Sequence, residues 1–364
     1  MTKVMMAFAA RLKVQHVRAS YYCRSVLLFR SPALVYKLRI LHRLCSVSPP
    51  PVLCIPGLSR RPRPLPYILG GILGVLWYRD REDTVPPYIK SQLLKAQRSL
   101  RDGDYTAANE AYHRALRRLA TSQFAEAQPY IEARAVVLDK LANMYLEQGL
   151  LAEAETTFRE AMKFMLRAGM DQESEAMVEM SLKLSKIYTN QNNHELAEAG
   201  FSWCVATAEK LCSTSKTENN LALWGMCLHS KGQYHLSRGQ WSPAIRCLIE
   251  ALQISLEVFT ASHLQVGVLH NDLATALDGG GQLLSDAESH ARTSLEILSQ
   301  SRSRDTEEYL ARVYYNLGMI LSHQGKVVQA KESLEKALEK AEISKDRPLQ
   351  RHIVNILDQI NRDT

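Results

Sequence analysis

The stretch Leu317-Gly318-Met319-Ile320-Leu321-Ser322-His323-Gln324-Gly325, followed by Ala330, Leu334 and Ala337, decides the fold. Leu317 and Leu321 are four apart and share one face of a helix. Gly318, next to Leu317, leaves room for a second backbone to come close. Gly325 breaks the period with a residue that reaches positive φ at no steric cost, as a helix C-terminus requires. Ala330, Leu334 and Ala337 then mark a second helical stripe whose small residues face the first. The unit is two antiparallel helices joined by a tight turn.

The frame recurs along the chain. Copies run through Leu141-Ala142, Tyr145, Gly149, Ala154, Phe158 and Ala161, and through Leu184-Ser185, Tyr188, Asn192, Ala197, Phe201 and Cys204. Another contains Gly232, His235, Gly239, Ala244, Leu248 and Ala251, and the first contains Ala96, Gly103, Ala108, Tyr112 and Ala115. In the fifth, Leu273-Ala274 and Leu277 lead to Ala287, Ala291 and Ser294 once a residue is inserted after Gly281. The turn positions 103, 149, 192, 239, 281 and 325 are 46, 43, 47, 42 and 44 residues apart.

A helix pair repeated with small residues at the crossings is the tetratricopeptide pattern, whose usual period is about 34 residues. The surplus predicts longer helices. The expected fold is all-α, a tetratricopeptide (TPR) α-solenoid of about six long helix-turn-helix repeats within a domain at 89–364. The repeats are placed at 89–122, 135–168, 178–211, 225–258, 267–301 and 311–344. Ser242-Pro243 reads as an N-cap followed by proline at the first helical position.

Composition agrees: 364 residues, 46% hydrophobic, 7% aromatic, with Gly 17 and Pro 13. That excludes collagen-like and wholly disordered chains. The net charge of +7 is concentrated at one end. Residues 1–79 hold 13 Lys and Arg and no acid, leaving 32 bases against 38 acids from Asp80 onward, a net of −6. The basicity therefore describes a leader and does not point to nucleic acid.

Arg11, Lys13, Arg18, Arg24, Arg30, Lys37, Arg39 and Arg43 recur among apolar and hydroxyl residues, as a mitochondrial transit peptide at 1–46 requires. A Pro/Arg-rich linker is expected at 47–64, where prolines forbid a helix. Leu65 to Tyr78 carries no charge and lies between Arg63 and Arg79. As a helix it spans roughly 21 Å, short of a bilayer core, and flanking arginines and Trp77-Tyr78 extend its reach. It is read as a short transmembrane segment, followed by a linker at 79–88. Basic residues before it would stay on the matrix side, leaving the repeats facing the intermembrane space.

No chemistry-bearing constellation emerges. The body cysteines 204, 212, 227 and 247 include no CxxC spacing, and Cys204 and Cys247 fall at packing positions. His229 and His235 are six apart and do not share a face. Asp278-Gly279-Gly280-Gly281 lacks the Gly-Lys-Ser/Thr of a phosphate loop and reads as a repeat turn. The expectation is a protein that is not an enzyme, with no cofactor, no metal, no nucleic acid and no small-molecule substrate.

Gly169-Met170-Asp171-Gln172-Glu173, Ser181-Leu182-Lys183-Leu184, Gly225-Met226-Cys227-Leu228 and Asp272-Leu273-Ala274-Thr275 make a more specific likeness. With these residues, 89–345 resembles a mitochondrial branch of the tetratricopeptide repeat family. That resemblance implies an inner-membrane factor of respiratory complex III that helps clear fragments of its Rieske iron–sulfur subunit. The alternatives are a cytosolic cargo or chaperone adaptor and a mitochondrial import receptor. The chaperone clamp needs a lysine where Asp139 stands, four before Asn143, and a carboxylate there would repel its acidic ligand.

In stacked helix pairs the first helix of each repeat lines the concave side, and its residues outside the frame can read a partner. Those are Asp139, Asn143, Lys183, Lys186, His229, Gln233, Asn271, Thr275 and Tyr315. Lys183 and Lys186, three apart, are expected to form a paired positive patch that exposed-site charge reversal would not destabilise, with Tyr315 as an aromatic anchor.

Overall fold

The computed structural model describes residues 85–281, 283–301 and 306–363. The transit peptide, Pro/Arg-rich linker and apolar span expected between 1 and 78 lie outside the described residues.

The described residues form thirteen α-helices and no strand. Six pairs follow one another: α1 (Pro87–Arg101) with α2 (Tyr105–Thr121), and α3 (Gln128–Glu147) with α4 (Leu151–Arg167). Next come α5 (Glu175–Asn190) with α6 (His194–Thr214), and α7 (Glu218–Ser237) with α8 (Trp241–Val258). The last two are α9 (Leu264–Gly279) with α10 (Leu284–Ser299), and α11 (Thr306–His323) with α12 (Val327–Ile343). A single helix, α13 (Arg347–Asp363), closes the series. In each pair the first is the A helix and the second the B helix. Each A helix packs on its own B helix, and each B helix on the next A helix. The fold is the tetratricopeptide solenoid the frame predicts. Its long period goes into helix: α3 and α7 have 20 residues and α6 has 21.

All six turn positions have positive φ: Gly103, Gly149, Gly239, Gly281 and Gly325 between 66° and 76°, and Asn192 at 60°. Asparagine is the non-glycine residue that best tolerates this conformation. Beyond the turn, Asp104 and Asn193 accept the backbone N–H of Ala107 and Leu196, capping α2 and α6. The small frame residues lie at the crossings. Ala142, Ala154, Ala161, Ala197, Cys204, Ala274, Ala287, Ala291, Ser294 and Ala330 are fully buried. A Cβ on Gly318 would come within 2.8 Å of Leu334 Cγ, so the α11–α12 crossing requires glycine. Phe158 and Phe201 fill the cores of the second and third repeats.

One local expectation is corrected. The α8 helix begins at Trp241 after Gln240, and Ser242 is not its cap. Pro243 is still accommodated, because first-turn N–H groups have no intrahelical acceptor. Trp241 is drawn in by its neighbour: a Cβ on Gly279 would meet its ring at 2.7 Å. Pro348 follows the last repeat and sits in the first turn of α13. Ile353 of α13 is fully buried, with Leu349, Ile356, Leu357 and Ile360 packed around the core of repeat 6.

Candidate partner-binding surface

The nine residues expected on the A-helix face occupy regular positions relative to the frame. Counting from the residue before the small frame residue (Leu141, Leu184, Lys231, Leu273, Leu317), eight stand two before it or two after it. These are Asp139, Asn143, Lys186, His229, Gln233, Asn271, Thr275 and Tyr315, and Lys183 stands one before Leu184. Such positions lie on the exposed shoulder of an isolated helix pair. In the assembled array they meet the next repeat.

From repeat 5 to repeat 6, Asn316 Nδ2 donates to Asn271 Oδ1 (2.9 Å) and Thr275 Oγ1 (3.1 Å). From repeat 4 to repeat 5, Asp272 Oδ2 lies 2.7 Å from His229 Nε2 and accepts from Gln233 Nε2 at 3.0 Å. Gln265 Nε2 lies 3.0 Å from His229 Nδ1; donating there, it assigns the ring proton to Nε2, which donates to Asp272. From repeat 2 to repeat 3, Lys183 Nζ reaches back to Asp139 Oδ1 at 3.8 Å, and that carboxylate also accepts Asn143 Nδ2 at 3.0 Å. At the end of the array the Tyr315 hydroxyl lies 3.0 Å from His352 Nε2 on α13.

Asn316, Asp272 and Lys183 share one site, immediately before the frame leucine (Leu317, Leu273, Leu184). Each reaches back to the A helix of the preceding repeat. At these three junctions the face is a ladder of polar contacts between successive A helices.

This geometry corrects the paired positive patch. Lys183 Nζ is 2.8 Å from Glu179 Oε1, a carboxylate that is almost wholly buried, and lies over the Phe158 ring. Burial alone would lower the Lys183 pKa, but Asp139 and Glu179 hold it above the ordinary value. Burial raises that of Glu179, against the pull of Lys183. Lys186 lies beside Cys227 and Cys204, and burial, reinforced by Lys183, lowers its pKa to about 7 despite the cysteines. One cation is matched by carboxylates and the other is close to losing its proton at neutral pH. The face does not carry two free positive charges.

Tyr315 is corrected as well. It is 8% exposed, and burial, with a smaller push from Asp278, lifts its hydroxyl pKa to about 12. It anchors α13, not a partner at the surface. His229 is buried too. Asp139, Asn143, Lys183, Lys186, Gln233, Asn271 and Thr275 keep partial exposure.

Asp272, Asn316, Gln265, Glu179 and His352 were missed. The recurring site before the frame leucine could have revealed Asp272 and Asn316. Nothing comparable marks Gln265 or His352, whose partners lie 36 and 37 residues away.

The distinctive loop at 169–173 has a structural role of its own. Gly169 takes φ 78° after α4, and Asp171 Oδ1 accepts the Glu173 N–H. Glu173 pairs with Lys210 on α6. Asp171, Gln172 and Glu173 are exposed.

The four body cysteines are free thiols. Cys204 is fully buried, with its thiol 3.6 Å from the Val178 carbonyl, while Cys247 is partly exposed. His235 Nδ1 lies 2.6 Å from Gln240 Oε1, so His229 and His235 serve different contacts.

Tetratricopeptide repeat models match residues 134–168, 224–264 and 311–340. The chain is 34% identical over 293 residues to the mouse protein "Tetratricopeptide repeat protein 19, mitochondrial", covering 78% of this chain and 77% of that one. With the human protein of that name the identity is 32% over 294 residues, covering 78% and 74%. Among solved structures, the crystal structure of BtubC (BKLC) from P. vanneervenii superposes with a TM-score of 0.51 at 15% identity, over 71% of this chain and 92% of that one, a likeness of fold.

Proposed function

Because the chain belongs to the family of mitochondrial tetratricopeptide repeat protein 19, we propose that it is a non-catalytic inner-membrane scaffold for respiratory complex III. In this reading it associates with the assembled complex and supports removal of Rieske iron–sulfur protein fragments. The likeness to the mouse and human proteins over more than three quarters of the chain carries the proposal.

The A-helix face supplies a physical basis for docking. A side chain already held by a neighbour loses little rotamer freedom when a partner arrives, so a fixed polar surface binds at lower entropic cost. Asn143, Gln233, Asn271 and Thr275 are held in this way and remain partly exposed. The intermembrane-space placement follows from the charge before Leu65 and belongs to the same proposal.

Membrane attachment and sidedness are tested together by carbonate extraction and protease treatment of mitoplasts. A carbonate-resistant chain whose repeats are digested after outer-membrane rupture fits the reading. Repeats protected in mitoplasts would reverse the sidedness. Partner contact is tested with Asn143→Arg and Thr275→Arg, which put bulky cations on the face. Co-purification with complex III should fall by far more than the modest drop in melting temperature that the loss of one hydrogen bond brings, with a cooperative transition kept. Co-purification at the wild-type level would move the interface elsewhere, with the 169–173 loop as the next surface to probe.

A further inference from the structure

We propose that the outward stripe of α1 docks on an anionic phospholipid surface and so sets how the first repeat stands on its membrane. The inference rests on reading Leu65–Tyr78 as membrane-embedded.

The α1 helix is sharply two-sided. Ile89, Leu93 and Ala96 are buried in the core of the first repeat. Tyr88 and Leu94, both large and apolar-bodied, are 45% and 54% exposed. Lys95, Arg98 and Arg101 are exposed as well. At about 100° per residue, these five side chains fall within roughly 140° of the helix circumference. Residues 87–101 contain no acid, and none of the three cations forms an ion pair with another described residue. The first helix pair, 87–121, carries seven bases and three acids in a body whose net charge is −6.

The location of this stripe identifies its occupant. Tyr78, the end of the uncharged span, is nine residues before Pro87. Those residues reach at most about 31 Å when fully extended, so an embedded span keeps α1 close to the lipid headgroups. The connecting Arg79, Asp80, Arg81, Glu82 and Asp83 sum to −1, so attraction to an anionic surface must come from α1. Cations flanked by a tyrosine and a leucine suit a headgroup layer: the charges meet phosphates while the apolar bodies enter the acyl boundary. An acidic protein segment could satisfy the cations, but the short tether favours lipid.

The test uses the full chain reconstituted in phosphatidylcholine vesicles with or without phosphatidylglycerol. Hydroxyl-radical footprinting reads Tyr88 and Leu94, and carbonate extraction scores the anchor separately. Both side chains should lose modification when phosphatidylglycerol is present. Lys95→Glu/Arg98→Glu/Arg101→Glu should abolish that protection, weakening docking roughly a hundredfold, while carbonate resistance is retained. Equal modification in both vesicle types for an anchored chain would overturn the proposal. Protection that appears only when complex III is added would also overturn it, identifying α1 as a protein interface. If carbonate extracts the chain, the anchor reading fails, and docking is judged by the same footprint on the peripheral protein. Protection by phosphatidylglycerol would then sustain it, and its absence would overturn it.

Discussion

The Asp272 carboxylate of the fifth repeat lies 2.7 Å from the ring nitrogen Nε2 of His229 in the fourth, and His229 is only 2% exposed. The same oxygen accepts from Gln233, so one acid satisfies two donors of the preceding A helix. Asp272→Ala should leave the buried His229 without its acceptor, at a cost of about 1–3 kcal/mol. Urea unfolding with an unchanged m-value measures this, and a wild-type midpoint would show that the contact contributes nothing.

Lys183 makes a sharper case. Lys183→Glu would place a third carboxylate beside Glu179 and Asp139, and breaking a buried pair costs about 3–5 kcal/mol. Thermal melting should fall steeply, in contrast to the neutral outcome that an exposed lysine would give. The double variant Glu179→Gln/Lys183→Met should recover most of the loss, because no uncompensated charge remains. A Lys183→Glu protein that melts with the wild type would contradict the buried pairing.

The ladder shows what the sequence could reveal and what it could not. The small residues at Gly318, Ala142 and Ala274 and the positive-φ turns at Gly325 and Asn192 follow from contacts within one helix pair. Their spacing is local, so a single chain displays it. Asn271 and Thr275 were placed on the correct helix face, but their partner Asn316 lies 41–45 residues away. Stacking brings it in and turns an exposed shoulder into an inter-repeat contact. Tyr315 was misjudged for a related reason. The helix that covers it, α13, lacks the small-residue frame and shows only the apolar series Leu349, Ile353, Ile356, Leu357 and Ile360.

Acid should destabilise the fifth repeat. His270 Nδ1 and His290 Nδ1 are 2.7 Å apart across α9 and α10, and one ring must donate while the other accepts. Burial lowers their pKa values to about 4 and about 3, and His270 lowers that of His290 further. Unfolded imidazoles bind protons near pH 6.5 while the folded ones remain neutral. Their contribution is therefore complete above pH 6.5 and is lost as pH falls toward the folded values. The loss at pH 5 is on the order of 2 kcal/mol per imidazole. His323 runs the other way: Asp278 raises its pKa, so its contribution is present below pH 6.5 and fades as pH rises through the folded value. Urea midpoints between pH 7.5 and 5 should drop, and His290→Asn should flatten the profile. A wild-type profile flat over that range would refute the neutral pair.

Gly279 sits at a tight crossing, with Trp241 of the preceding repeat against it. Gly279→Ala would force the indole aside, and overpacking of this kind costs about 1–3 kcal/mol. Trp241 fluorescence should shift with the melting temperature. An unshifted spectrum at wild-type stability would mean that the ring has free space.

The most direct measurement of the interlocked A-helix face is a double-mutant cycle on Asn271→Ala and Asn316→Ala, which join the fifth and sixth repeats at 2.9 Å. Both residues are uncharged and partly exposed, so the single variants should fold. Contact between the repeats predicts a coupling energy of about 0.5–1.5 kcal/mol from urea unfolding. Additivity within about 0.3 kcal/mol would contradict it, and the face would then consist of side chains that do not hold one another in place.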